Sequence, residues 1–68
     1  MNKKIRYGII GCGSMGREHI ENIKALDGTV VTAIADPHAH SLDLALALLD
    51  EQPQVFHDYR ELLASNLF

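Results

Sequence analysis

Gly11-Cys12-Gly13-Ser14-Met15-Gly16 is the most informative segment of this chain, because its three glycines stand between a short apolar stretch and a region of helical periodicity. Glycine occupies the first, third and sixth positions. In a strand-to-helix connection of this spacing, Gly11 permits a tight turn and Gly13 leaves the backbone bare for close approach. Gly16 then allows the helix to pack closely on the strand. The pattern carries weight only if the flanking residues form those elements.

The flanking residues do favour a strand and a helix. Lys4 to Ile10 is rich in β-branched and aromatic residues and ends at glycine, as a strand should. Ser14 to Leu26 has helical periodicity, with Gly16, Ile20 and Ile23 on one face. The sequence therefore predicts strand, glycine turn and helix in that order.

A second strand and helix follow. Val30 to Ala35 is a nearly continuous apolar run, which is typical of a strand covered on both faces of a parallel sheet. The next helix is predicted to begin between His38 and Leu42 and to run to about Glu51. Its buried stripe is predicted to consist of Leu42, Ala45, Leu46 and Leu49.

The last predicted pair of elements is shorter. Val55-Phe56 is a candidate third strand. Asp58 is predicted to cap a third helix as the first residue of a capping box, with Glu61 reaching back to it. The order β-α-β-α-β-α predicts the α/β class, with a parallel sheet and right-handed crossovers.

An acidic residue completes the constellation. Asp36 lies 20 residues after Gly16, at the end of the second predicted strand, which is the spacing of a dinucleotide-binding fingerprint. Its carboxylate would accept hydrogen bonds from the adenosine ribose, while amides near Ser14 and Met15 would face the pyrophosphate. The predicted cofactor is NAD, with NADP as the alternative. The predicted cofactor-binding residues are Gly11, Gly13, Ser14, Met15, Gly16 and Asp36.

Three segments together resemble a known family. Ile9–His19, Val31–Pro37 and Phe56–Leu63 look like the N-terminal part of the Gfo/Idh/MocA oxidoreductases, the glucose–fructose oxidoreductase and inositol dehydrogenase group. The resemblance implies a Rossmann fold and NAD- or NADP-dependent hydride transfer on sugars, cyclitols or related polyols. Family members carry a catalytic lysine in a Glu-Lys-Pro segment and a catalytic histidine in a C-terminal domain, neither of which is found in residues 1–68.

Residues 1–68 are therefore expected to be the N-terminal part of a dinucleotide-binding Rossmann domain, a partial fold truncated before its second half. No residue is assigned as catalytic, and a small polyol substrate is expected only for the complete protein. Two alternatives use the same residues: a non-catalytic NAD-sensing regulatory module and an inactive truncated product. FAD is a weaker alternative cofactor, since it uses the same fingerprint. The predicted open edge of the first strand favours self-association.

Composition excludes other classes of function. The net charge of −3 offers no basic stripe for nucleic acid. No run approaches the roughly 18 apolar residues of a membrane span. The positively charged start Met1-Asn2-Lys3-Lys4 leads into a short apolar run that breaks at glycine, which favours a strand over a signal peptide. The single cysteine agrees with a reducing compartment, and the expected location is cytoplasmic.

The remaining polar residues receive structural interpretations. Cys12 is interpreted as a small residue that fits a crowded turn rather than as a redox switch. Asp36, His38 and His40 lie close in sequence, but no fourth ligand completes a zinc set, so no metal site is predicted. His38 is placed at the rim of the adenosine pocket or in solvent. His19 is expected to pack or cap, and His57 is interpreted as a loop residue.

Overall fold

Three strands alternate with three helices along the chain in a computed structural model, which describes residues 4–68. Residues 1–3, which belong to the positively charged start of the sequence, lie outside the described residues. The predicted α/β class and the β-α-β-α-β-α order are confirmed. The elements are β1 (Ile5–Ile10), α1 (Ser14–Lys24), β2 (Thr29–Ala35), α2 (Ala39–Leu46), β3 (Gln54–Phe56) and α3 (Tyr59–Ala64).

The three strands form one parallel sheet in the order β1-β2-β3. Pairing between β1 and β2 slips once: Tyr7 is opposite Val31, whereas the next residue, Gly8, is opposite Ala33. Thr32 is thus the extra residue of a bulge in β2. Because side chains alternate along a strand, a bulge resets which face each residue takes.

The bulge explains how one apolar run fills the core on both faces of the sheet. Val31 and Ile34 both join the cluster beneath α1 and α2, although they are three residues apart. Ala33 and Ala35 belong instead to a second cluster with Leu62 of α3. The first cluster contains the buried residues Ile9, Cys12, Ile20, Val31, Ile34, Leu42 and Ala45.

The second helix is shorter than predicted. α2 ends at Leu46, five residues before Glu51, and the chain then turns through hydrogen bonds between residues three apart. The ammonium group of Lys24 in α1 donates a hydrogen bond to the Leu48 carbonyl, and the side-chain amide of Gln52 donates one to the Leu49 carbonyl at 3.0 Å. Side chains from outside the helix thus donate hydrogen bonds to the carbonyls of this turn. Sequence periodicity does not reveal these hydrogen bonds.

The predicted capping box at α3 is only half correct. Asp58 is the N-cap, as predicted, but its carboxylate accepts from the Arg60 amide at 2.8 Å and from the Arg60 guanidinium at 2.7 Å. The Glu61 amide donates instead to the Asp58 backbone carbonyl. Side-chain and backbone hydrogen bonds from Arg60 lower the pKa of Asp58 to about 2. The Asp58 carboxylate therefore bonds to Arg60, and the reciprocal hydrogen bond predicted from the Glu61 side chain is not found among the described residues.

The last described residues pack back over β1. A Cβ at Gly8 would lie 3.1 Å from Leu62 and 3.2 Å from Phe68, so the missing side chain leaves room for both. The Thr32 hydroxyl at the bulge donates to the Leu67 carbonyl. Within residues 4–68, no helix has both the length and the apolar character needed to cross a membrane.

Candidate functional site

The three connections that follow β1, β2 and β3 meet at one edge of the sheet, because parallel strands place their carboxyl ends together. The first is the glycine turn that leads into α1. The second carries Asp36, and its amide donates to the Phe56 carbonyl of β3 at 3.1 Å. The third carries His57 and Asp58. The predicted site residues come from the first two of these connections and from the first turn of α1.

The glycine turn is fixed by two backbone features. Gly11 has φ +85°, in the left-handed region that favours glycine, and its amide donates to the Ala35 carbonyl at 2.8 Å. A Cβ at Gly16 would overlap the Gly11 carbonyl oxygen and lie 2.8 Å from the carbonyl carbon. Gly16 is thus required by the turn itself. The same Cβ would lie 3.8 Å from the side chain of the strand residue Ile9, which is an ordinary contact distance.

The start of α1 presents free backbone donors. Gly13 is the N-cap and has no side chain to satisfy them, while its carbonyl accepts from the Arg17 amide at 2.9 Å. The amides of Ser14, Met15 and Gly16 have no partner in a preceding helical turn. No acidic residue lies in the first turn, and a Cβ at Gly13 would meet nothing within 4 Å. An anion could therefore approach this end of the helix without a steric clash at Gly13 and without repulsion from an acidic side chain in the first helical turn.

Asp36 is the only buried charged side chain among the described residues, at 8% exposure. One carboxylate oxygen accepts from the Cys12 amide at 2.7 Å, and the other accepts from the His38 amide at 2.7 Å. Burial alone would raise the pKa of Asp36, but hydrogen bonds from these two amides and from the His38 ring outweigh it, so the pKa is lowered. The group is held ionised by the chain's own donors.

His38 covers one side of this carboxylate while its own side chain is largely exposed. Its Nδ1 lies 3.2 Å from the Asp36 carboxylate, and His38 is also the N-cap residue of α2. Of the two positions expected for His38, the rim of the adenosine pocket or solvent, the exposure of its side chain agrees with the second. A protonated His38 would bring a positive charge next to the Asp36 carboxylate.

A cavity of about 360 Å³ opens at this edge of the sheet. Asp36 forms part of its wall, with apolar surface from Ile10, Pro37 and Tyr59. Sequence reasoning missed these three, and it treated His57, which also lines the cavity, as an ordinary loop residue. Their common feature, a position at or just after the carboxyl end of a strand, could have identified them. The full lining is Ile10, Gly11, Ala35, Asp36, Pro37, His57, Asp58 and Tyr59.

A larger cavity of about 780 Å³ lies on the other side of the glycine turn, along β1 and α1. Met15, 71% exposed, projects beside it, and Gly13 and Ser14 also line it. His19 is exposed on this wall rather than packed or capping as expected. The glycine turn therefore separates two open volumes, and all six predicted cofactor-binding residues border one or the other.

Cys12 lies inside the turn and is fully buried. Burial, followed by the nearby Asp36 carboxylate, raises the pKa of its thiol, which therefore stays protonated and poorly nucleophilic. The interpretation of Cys12 as a packing residue agrees with this environment. No group of three potential metal ligands is brought together in the described part of the chain.

A family model for an oxidoreductase family with an NAD-binding Rossmann fold matches residues 5–67. The chain belongs to the Gfo/Idh/MocA oxidoreductase family. The resemblance found in the sequence is thereby confirmed, and so is the partial Rossmann fold. The domain that this family model represents is the NAD-binding Rossmann domain of the family. The glycine turn, with no side chain at Gly13 and with free amides at the start of α1, fits such a ligand.

Several Gfo/Idh/MocA relatives match most of this chain. It is 37% identical to the inositol 2-dehydrogenase of Acidiphilium cryptum, over 90% of this chain and 18% of that protein. It is 30% identical to the inositol 2-dehydrogenase/D-chiro-inositol 3-dehydrogenase of Halalkalibacterium halodurans, over 91% of this chain and 18% of that protein. A glycosyl hydrolase family 109 protein of Shewanella sp. is 35% identical, over 88% of this chain and 15% of that protein. The chain thus spans less than a fifth of the length of these relatives.

The environment of Asp36 predicts a specific dependence of stability on pH. Because the folded pKa lies below the unfolded value, the ionised carboxylate stabilises the fold above the unfolded pKa, about 3.9. This contribution is lost as the pH falls through the folded pKa. We expect the stability difference between the wild type and Asp36→Asn to be largest above about pH 5 and to shrink towards pH 2.

Urea denaturation between pH 6 and pH 2 measures this difference. Asp43→Asn is the matched control, since it removes the same charge from an exposed position on α2. Its difference from the wild type should vary much less with pH. Equal pH profiles for the two variants would contradict the assignment of an ionised, hydrogen-bonded Asp36.

Proposed function

We propose that residues 1–68 form the N-terminal part of a dinucleotide-binding domain and bind the adenosine and pyrophosphate part of NAD. The complete protein is proposed to oxidise or reduce CH–OH groups of a sugar, cyclitol or related polyol. The observation that carries the proposal is the meeting of a bare glycine turn, a free helix N-terminus and a buried ionised carboxylate at one edge of a parallel sheet. Each part suits a different portion of one dinucleotide.

The pyrophosphate is assigned to the start of α1. Gly13 leaves open space, and the amides of Ser14 and Met15 supply donors together with the positive end of the helix dipole. Gly11 and Gly16 act indirectly, since their backbone packing fixes the turn. When bound, the dinucleotide would supply the hydride donor or acceptor of the reaction, and residues 4–68 would only hold and orient it.

The adenosine is assigned to the 360 Å³ cavity. The Asp36 carboxylate oxygen that accepts from the Cys12 amide has a further lone pair for a ribose hydroxyl. The other oxygen accepts from the His38 amide and lies 3.2 Å from Nδ1 of the His38 ring. Ile10 and Pro37 offer apolar surface to the adenine, and the exposed ring of Tyr59 is available beside it.

The substrate class rests on the relatives rather than on this site. Inositol dehydrogenases and glycosyl hydrolase family 109 proteins match the same segment. Because proteins with different named activities share it, the segment supports a function common to them, which is cofactor binding. The dehydrogenase names favour a polyol substrate for the complete protein.

We predict a preference for NADH over NADPH. A ribose 2′-phosphate would meet the ionised Asp36 carboxylate and be repelled, whereas a 2′-hydroxyl would donate to it. At pH 8 we expect NADH to bind at least about tenfold more tightly than NADPH, a difference of about 1.4 kcal/mol. Fluorescence titration of both cofactors measures the ratio.

Asp36→Ser tests the cause of this preference, and Asp43→Asn controls for the loss of charge. We expect the ratio to fall towards one in the first variant and to stay unchanged in the second. Tighter binding of NADPH by the wild type would refute the role given to Asp36. Failure to bind either cofactor would refute the proposed function.

Self-association of the 68-residue chain is a further prediction. In the described sheet, β1 is an edge strand, and Ile5 and Ile10 are 61% and 52% exposed. The adjoining 780 Å³ cavity is lined largely by apolar groups of β1 and α1. Such an edge favours pairing with another strand. Size-exclusion chromatography with light scattering should show species larger than 7.5 kDa whose share rises with concentration; a monomer at all concentrations would contradict it.

A further inference from the structure

The Asp36 carboxylate lies beneath the glycine turn, and its nearest donors belong to the protein. The Cys12 amide is 2.7 Å from one oxygen, and both atoms belong to residues buried at 0% and 8% exposure. The turn is also joined to the end of β2 by the 2.8 Å hydrogen bond between the Gly11 amide and the Ala35 carbonyl. Two successive amides of the turn thus bond to two successive residues of the neighbouring strand.

The second carboxylate oxygen extends this connection to the next helix. It accepts from the His38 amide at 2.7 Å, and His38 is the N-cap residue of α2. One side chain therefore joins the turn before α1 to the start of α2. Buried charges of this kind are retained where each oxygen has a donor of good geometry, as both have here.

We infer that Asp36 is a positioning residue for the phosphate-binding turn, in addition to any contact it makes with the ribose. By accepting from Cys12, it fixes the direction of the peptide that leads into Gly13, so that the next amides face outwards at the start of α1. This inference rests on the proposed function for its consequence in binding. The arrangement itself is a property of the free chain.

The two roles of Asp36 predict different results with a ligand that lacks ribose hydroxyls. If Asp36 only bound the ribose, Asp36→Ala would weaken ADP but not 2′,3′-dideoxy-ADP. Removal of a negative charge would even strengthen the binding of the dideoxy anion. If Asp36 also positions the turn, the affinity for 2′,3′-dideoxy-ADP falls as well, against the direction that charge alone dictates.

Calorimetric titration with both nucleotides tests the inference on the full chain. We expect Asp36→Ala to bind 2′,3′-dideoxy-ADP about tenfold more weakly than the wild type, with a larger loss for ADP. Asp36→Asn should recover part of the dideoxy affinity, because its amide oxygen can still accept from Cys12. Asp43→Asn is the control and should bind both nucleotides as the wild type does. Unchanged or tighter binding of the dideoxy nucleotide by Asp36→Ala overturns the inference.

Amide hydrogen exchange on the free chain provides a measurement that needs no ligand. We expect the Cys12 amide to exchange at least about tenfold faster in Asp36→Ala, while the Gly11 amide stays protected as an internal reference for the fold. Equal exchange of Cys12 in both proteins overturns the inference. If the wild type binds neither ADP nor NADH, the proposed function fails, and the exchange rates still decide whether Asp36 holds the turn.

Discussion

Replacing Gly16 with alanine is expected to destabilise the fold by about 3 kcal/mol. The reason is steric, since the new Cβ would overlap the Gly11 carbonyl oxygen and lie 2.8 Å from the carbonyl carbon. Both atoms are backbone, so no side-chain rotation relieves the overlap. The loss is comparable to the total stability of roughly 3–10 kcal/mol expected for a chain of this length.

Helix propensity alone predicts that Gly16→Ala would increase the stability of the fold. Within a helix, alanine is favoured over glycine by up to about 1 kcal/mol, so Gly16→Ala would be stabilising at an unconstrained position. Urea denaturation followed by circular dichroism measures the change. Gly13→Ala is the matched control, because its Cβ would meet nothing within 4 Å. A Gly16→Ala protein as stable as the wild type would show that α1 does not approach the turn this closely.

Replacing Gly13 with valine is expected to abolish cofactor binding with little effect on the fold. Gly13 has φ −69° and ψ −167°, an extended conformation that valine adopts readily, and open space surrounds its Cβ position. That space is where the pyrophosphate is proposed to lie. We expect the affinity for NADH to fall by at least about 100-fold, with the denaturation midpoint almost unchanged.

Fluorescence titration with NADH and parallel urea denaturation separate the two effects. Val30→Ala serves as a control for any general loss of stability, since Val30 is half-buried on β2, away from the turn. Its denaturation midpoint should fall while its affinity for NADH is retained. Wild-type affinity in Gly13→Val would place the phosphate site elsewhere on the chain.

The two glycine predictions differ because the same residue type serves two purposes in one hexapeptide. Gly16 is required by a contact within the protein, whereas Gly13 leaves room for something outside it. The sequence pattern assigned these purposes through the spacing of a fingerprint. The structure gives each a physical basis that can be tested by stability for one and by binding for the other.

Local sequence determined the order and type of the elements. Apolar runs, helical periodicity and the glycine spacing depend on residues close together in the chain, so all three strands and all three helices could be predicted. The acidic residue at the end of β2 was predicted for the same reason. The resemblance to the Gfo/Idh/MocA family also rests on short segments, and the match over residues 5–67 confirms it.

Only the tertiary structure decided what depends on residues far apart in sequence. The bulge at Thr32, which directs both Val31 and Ile34 towards α1 and α2, requires a neighbouring strand. Beyond the early end of α2, the Leu48 carbonyl accepts a hydrogen bond from Lys24, which belongs to another helix. The hydrogen bond from the Cys12 amide to the Asp36 carboxylate joins residues 24 positions apart. Through it, Asp36, which the sequence predicts to bind the ribose, also contacts the glycine turn. Periodicity and spacing cannot show such contacts, because their energy depends on which surfaces fold against each other.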